Sequence, residues 1–176
     1  AEAVLRTCMK EGPLALANPT DYTCRANIMW AGTLAHNDLT GCGTTGDWAT
    51  HNIEHELSGL FDVSHGAGLA AVWGSWARYT RNENLPRFAR FAHNVMGIDT
   101  TNMSDMEASE TGIKAMEQFF RSIGMPTDIH TLVGKDITDA EIEEMAQKCT
   151  NGDTTTIGGL KILHAADIVK IYQMAK

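Results

Sequence analysis

The chain has 176 residues, of which 43% are hydrophobic and 20% charged, enough for one globular domain with a packed core and unlike the composition of a disordered chain. Lys and Arg number 14 against 22 Asp and Glu, a net charge of −8 without any basic run, so nucleic acid is excluded as a partner. The longest stretch free of Asp, Glu, Lys and Arg, Val63 to Ala77, is too short to span a bilayer, so no membrane segment is expected.

The opening Ala1-Glu2-Ala3-Val4-Leu5-Arg6 has no apolar signal core, and the expected location is cytoplasmic. The chain starts without Met, which fits either a matured start or a piece of something longer. Cys8, Cys24, Cys42 and Cys149 form no C-x-x-C pair, so neither a zinc ribbon nor a redox dithiol is signalled and buried thiols are expected.

Helical periodicity runs from end to end, and alternating β-branched runs are nearly absent, so the predicted class is all-α, a helical bundle forming one domain over 1–176. A first helix covers about Ala1 to Lys10 and stops at Gly12-Pro13. Asn18-Pro19-Thr20 opens a second, running to about Asn37, with Tyr22, Ala26, Met29, Trp30 and Thr33 on its inner face. Thr40 to Gly46 is loop. Asp47 caps a third helix, about Trp48 to Leu60, whose inward stripe is Trp48, His51 or Asn52, His55 and Gly59.

From Gly66 a fourth helix reaches about Tyr79, with Leu69, Val72, Trp73 and Trp76 at core spacing and small residues that permit close backbone approach. Pro86 starts a fifth helix, ending near Gly97 and burying Phe88, Phe91, Ala92 and Val95. Ser104-x-x-Glu107 and Thr138-x-x-Glu141 are capping boxes for helices of about Asp105 to Ile123 and Asp139 to Lys148. A last helix from about Ala165 carries Ile168, Ile171, Tyr172 and Met174.

The densest chemical feature is Thr50-His51-Asn52-Ile53-Glu54-His55, followed by His65-Gly66. On a helix His51 and His55 stand one turn apart on one face, so two imidazoles can converge on one cation or substrate. The same residues fit H-x-x-E-H, the inverted zinc-peptidase pattern, in which both histidines ligate and the glutamate is general base. That pattern needs a third ligand and a surrounding sheet, which a helical chain does not offer. Gly41-Cys42-Gly43-Thr44-Thr45-Gly46 fits G-x-G-x-x-G, but no strand precedes it, so a helix-to-helix loop is expected rather than a dinucleotide cradle. His36, His93, His130 and His164 have no second ligand at a recognisable spacing and read as structural or solvated.

Longer motifs narrow the choice. Asp47-Trp48-Ala49-x-His51-x-x-Glu54-His55-Glu56-Leu57-Ser58, then Phe61-Asp62-x-x-His65-Gly66-Ala67-Gly68-Leu69-Ala70, closely resembles the second half of iron-dependent alcohol dehydrogenases, in their butanol dehydrogenase and aldehyde reductase branch. Leu16-Ala17-Asn18-Pro19, Arg25-Ala26-Asn27 and Met29-Trp30-Ala31 resemble the preceding helices of that branch, and Asp167-Ile168-Val169-x-Ile171-Tyr172 its last helix. The fold implied is the helical, dehydroquinate synthase-like C-terminal domain. The activity implied is metal-assisted hydride transfer between a primary alcohol or aldehyde and NAD or NADP.

By motif position the resemblance makes His51 and His65 two of three metal-ligating histidines, the metal being a divalent ion, Fe2+ in first place and Zn2+ as the alternative. His55 becomes the non-ligand histidine close to nicotinamide and substrate. The remaining ligands, an aspartate and a histidine on a D-x-x-x-H segment, are expected ahead of Ala1, together with the glycine-rich domain that binds most of the cofactor. The one pair here at that spacing, Asp47 and His51, is expected to be otherwise engaged, with Asp47 as a helix cap. The resemblance thus implies about half an enzyme, inactive alone, partnered by a cofactor domain and a small alcohol or aldehyde. Its oligomeric state is open, a homodimer among the options.

Overall fold

The computed structural model describes all 176 residues. It contains α1 (Glu2–Ala17), α2 (Tyr22–His36), α3 (Ala49–Phe61), α4 (His65–Thr80), α5 (Leu85–Asn94), α6 (Asp105–Ser122), α7 (Ile129–Val133), α8 (Asp139–Cys149) and α9 (Ala165–Ala175). No strand forms, and the one isolated bridge joins Ile157 to Leu163, so the all-α expectation holds. No helix is long and apolar enough to cross a membrane. The chain divides into two compact units, residues 1–46 with 86–119 and residues 47–85 with 120–176.

In the first unit α1 packs on α2. The expected stop at Gly12-Pro13 is overrun, and α1 continues through Pro13 to Ala17. A proline forfeits one main-chain bond. Here buried Glu11, just before the break, meets Cys24 and Asn27 of α2, and the final turn closes with Asn18 N–H donating to the Leu14 carbonyl at 2.9 Å. Packing on a neighbour outweighs the local breaker. The second helix starts later than expected, because Asp21 caps it by accepting from the Cys24 N–H at 2.9 Å. Its inner face is also different: Cys24 and Ala31 are buried, whereas Tyr22, Met29 and Trp30 are exposed. Periodicity identifies a stripe, but the small residues make the close contact. The carboxylate of Glu2 takes Arg90 at 2.6 Å and Asn94 at 3.1 Å, tying α1 to α5. Gly112 lets α6 approach α5, since a Cβ there would fall 2.7 Å from that of Ala92.

The second unit carries the continuous apolar core. Ile53 and Leu57 of α3, Val72 of α4, Ile142 and Met145 of α8, and Ile168, Ile171 and Tyr172 of α9 are almost wholly removed from water. The inward stripe of α3 is therefore Ala49, Ile53 and Leu57, not the Trp48, His51, His55 and Gly59 face expected from the sequence. In α4 the small residues Gly68, Ala70, Ala71 and Gly74 are buried with Val72, while Leu69, Trp73 and Trp76 are half-buried. The Tyr172 hydroxyl donates to the Ile53 carbonyl at 2.6 Å, and that of Tyr79 donates to Asp167 at 2.5 Å, locking α9 to α3 and α4. Both expected capping boxes form at the starts of α6 and α8.

Three further expectations need correction. The short α7 was not anticipated; Asp128 caps it by accepting from the Thr131 N–H at 2.7 Å, and it contributes buried Ile129. Met174 is exposed, on the outer side of α9. The four thiols are all free, but only Cys24 is fully buried; Cys8 and Cys149 are half-buried and Cys42 is exposed in its glycine-rich loop. Burial pushes the Cys149 thiol up to about 12, so it stays protonated.

Candidate metal centre

Helix α3 ends at Phe61, its C-cap Asp62 adopts a left-handed φ of 52°, and Val63-Ser64 leads directly into α4. This tight reversal returns His65, the first residue of α4, against the middle of α3. The ring centroid of His65 lies 5.4 Å from that of His51 and 5.3 Å from that of His55. The three histidines singled out by spacing are therefore brought together, and His130 and His164 of the same unit have other partners. His130 pairs with Asp136 at 2.8 Å, and His164 helps cap α9 beside Asp153.

The three rings differ in their surroundings. His55 is exposed, and His65 is about half exposed, with 47% of its side chain open. His51 is half-buried, with Trp48 edge-on at 4.8 Å. Burial first, then the neighbouring His65 and His55, push His51 below the ordinary imidazole range, which keeps it neutral as a metal ligand must be. Its Nδ1 is buried without any hydrogen-bond partner in the protein. Such an orphan is costly unless a ligand or ion relieves it. A set of imidazoles around one buried, unsatisfied ring nitrogen suits a borderline divalent cation, so the residues present fit the metal.

Glu54 is the residue whose role the sequence concealed. It is wholly buried; Oε2 meets Nδ1 of His65, and Oε1 accepts from the Ser58 hydroxyl. A carboxylate with both oxygens engaged and no exposure is unavailable as the general base that H-x-x-E-H would require. Glu54, His55 and His65 do present one oxygen and two ring nitrogens within 4.8 Å of one another. The carboxylate's share of that closeness is its bond to His65. Gly68 accommodates it, since a Cβ there would lie 2.4 Å from Oε1 and 2.6 Å from Cγ. No spacing in the sequence signals this, because His65 and Gly68 meet Glu54 only once α4 has folded back.

Asp47 is engaged as expected, though one position further out. Trp48 occupies the N-cap position, and Asp47 accepts from the Ala49 N–H at 2.8 Å and from Gly159 and Leu160 at 3.0 and 2.7 Å. Its carboxylate is consumed by backbone. Beside the α3–α4 reversal lies a cavity of about 640 Å³, bordered by Asp62, Ser64, Ala67, Arg121 and Met125, and none of the three histidines lines it.

Comparison with known proteins places this helix pair in context. Residues 1–176, the whole chain, match the Fe-containing alcohol dehydrogenase family, C-terminal, and the chain belongs to that family. NADH-dependent butanol dehydrogenase A of Clostridium acetobutylicum is 38% identical over 175 residues, covering 98% of this chain and 44% of that protein. The NADPH-dependent aldehyde reductase YqhD of Escherichia coli is 36% identical over 172 residues, 94% of this chain and 44% of its own length. The solved structure of NADH-dependent butanol dehydrogenase A from Thermotoga maritima matches with a TM-score of 0.89 at 31% identity, over 99% of this chain and 44% of that one. The chain spans less than half the length of these relatives.

Proposed function

We propose that this chain is the helical half of an NAD(P)-dependent alcohol dehydrogenase or aldehyde reductase, in which His51 and His65 hold a divalent metal and His55 faces the nicotinamide and the substrate. The observation that carries the reading is the meeting of three imidazoles at the α3–α4 reversal, with a buried ring nitrogen of His51 left unpartnered. The metal, iron before zinc, would supply Lewis-acid polarisation of an alcohol or aldehyde oxygen. The hydride chemistry belongs to the nicotinamide, held mainly by a domain outside this chain.

The chain's own residues do the rest. His51 and His65, fixed on consecutive helices, bring two nitrogen donors together without a flexible loop between ligand and core. His55, exposed beside His65, offers a ring nitrogen that can hold or pass a proton at the substrate oxygen. Trp48, edge-on to His51, shields one side of the ligand from water.

Metal analysis of single variants tests the assignment. His51→Ala and His65→Ala should each lose bound Co2+, whereas His55→Ala should keep it and lose turnover in the full enzyme. Loss of metal on His55→Ala with retention on His65→Ala overturns the ligand assignment. The purified chain, given butanal and NADH or NADPH, is expected to show no turnover; clear activity would sink the half-enzyme reading.

A further inference from the structure

We propose that Glu54 is a positioning residue of the metal site, fixing the tautomer and orientation of His65 so that its Nε2 is presented to the metal. The inference rests on the reading of His65 as a ligand. In the Glu54–His65 contact Oε2 occupies Nδ1, so the ring nitrogen left on the far side is Nε2. A ligating Nε2 must be unprotonated, so the hydrogen of the neutral ring belongs on Nδ1, facing Glu54. The carboxylate is itself held, because Oε1 accepts from Ser58 one turn further along α3.

Three residues serve this one carboxylate. Ser58 fixes one oxygen, His65 takes the other, and Gly68 on the first turn of α4 leaves the space that the side chain fills. A wholly buried carboxylate is expensive to desolvate, and each of these features offsets that cost only if Glu54 stays where it is. Carboxylates behind ligating histidines orient the ring and raise its basicity.

The test uses the purified chain, with Co2+ as the probe. In the metal-free, 15N-labelled protein, long-range proton–nitrogen correlation should show His65 as the Nδ1–H tautomer; an Nε2–H tautomer overturns the proposal without any variant being made. Glu54→Gln, which fills the same space but lacks the charge, should weaken Co2+ binding by roughly tenfold, and Glu54→Ala by up to about a hundredfold. A Glu54→Gln protein with wild-type circular dichroism and affinity within about twofold of wild type defeats the role of Glu54. If His65→Ala binds Co2+ as the wild type does, the ligand reading itself fails. If His65→Ala loses Co2+ and Glu54→Gln does not, only the positioning role fails.

Discussion

Gly68 and Gly59 lie on the facing helices of the site and should respond oppositely to the same substitution. At Gly68 an added methyl meets the Glu54 carboxylate at 2.4 Å and its Cγ at 2.6 Å, and Glu54 is sealed by Ser58 and His65. Gly68→Ala should therefore lower stability by roughly 1–3 kcal/mol, read by thermal or urea unfolding, and displace the carboxylate from His65. At Gly59 nothing lies within 4 Å, so Gly59→Ala should raise stability by about 0.5–1 kcal/mol through helix propensity. Equal effects at the two positions would refute the close packing at Gly68. The histidines were legible in the sequence because helical spacing alone aligns His51 with His55. Glu54 was not, because H-x-x-E-H equally describes a solvent-facing base and a sealed carboxylate, and only the returning α4 decides between them.

At the scale of elements, the polar ends were more legible than the inward faces. Thr138-x-x-Glu141 forms the capping box that its spacing announces, and the backbone N–H of Thr138, then Lys135 and the Thr138 hydroxyl, lower Glu141 from 4.5 to about 2. A folded-state pKa below the unfolded one stabilises α8 above about pH 4.5, and that contribution is lost as pH falls from there toward 2. Glu141→Gln should flatten the acid limb of the unfolding curve in this window. Thr138→Ala should cost roughly 1 kcal/mol at neutral pH. Inward faces depend on what the neighbour offers. Apolar periodicity in α2 marked Tyr22, Met29 and Trp30, but these are exposed, and α2 buries Cys24 and Ala31 instead. Likewise Pro13 is a local stop that contact with α2 overrides, information absent from α1 itself. The hydroxyl of Tyr172, which ties α9 to α3 at 2.6 Å, is similarly long-range; Tyr172→Phe should cost about 1–2 kcal/mol, measured by urea unfolding.

Across the whole molecule, the unit that bears the histidines is assembled from residues 47–85 and 120–176, so its core is discontinuous in sequence. Leu57→Ala, in the middle of that core, should remove about 2–5 kcal/mol, enough to unfold a marginal unit and dismantle the site without touching a histidine. Asp47 clasps Gly159 and Leu160 across 112 and 113 residues, and Tyr172 reaches Ile53 across 119. On the ribosome this separation becomes a delay. At roughly 5–20 residues per second, α3 emerges several seconds before α9 is made, and Ile53 and Leu57 wait without their cover. The nascent helix pair that carries every proposed ligand thus keeps apolar surface open to water until the final eleven-residue helix arrives.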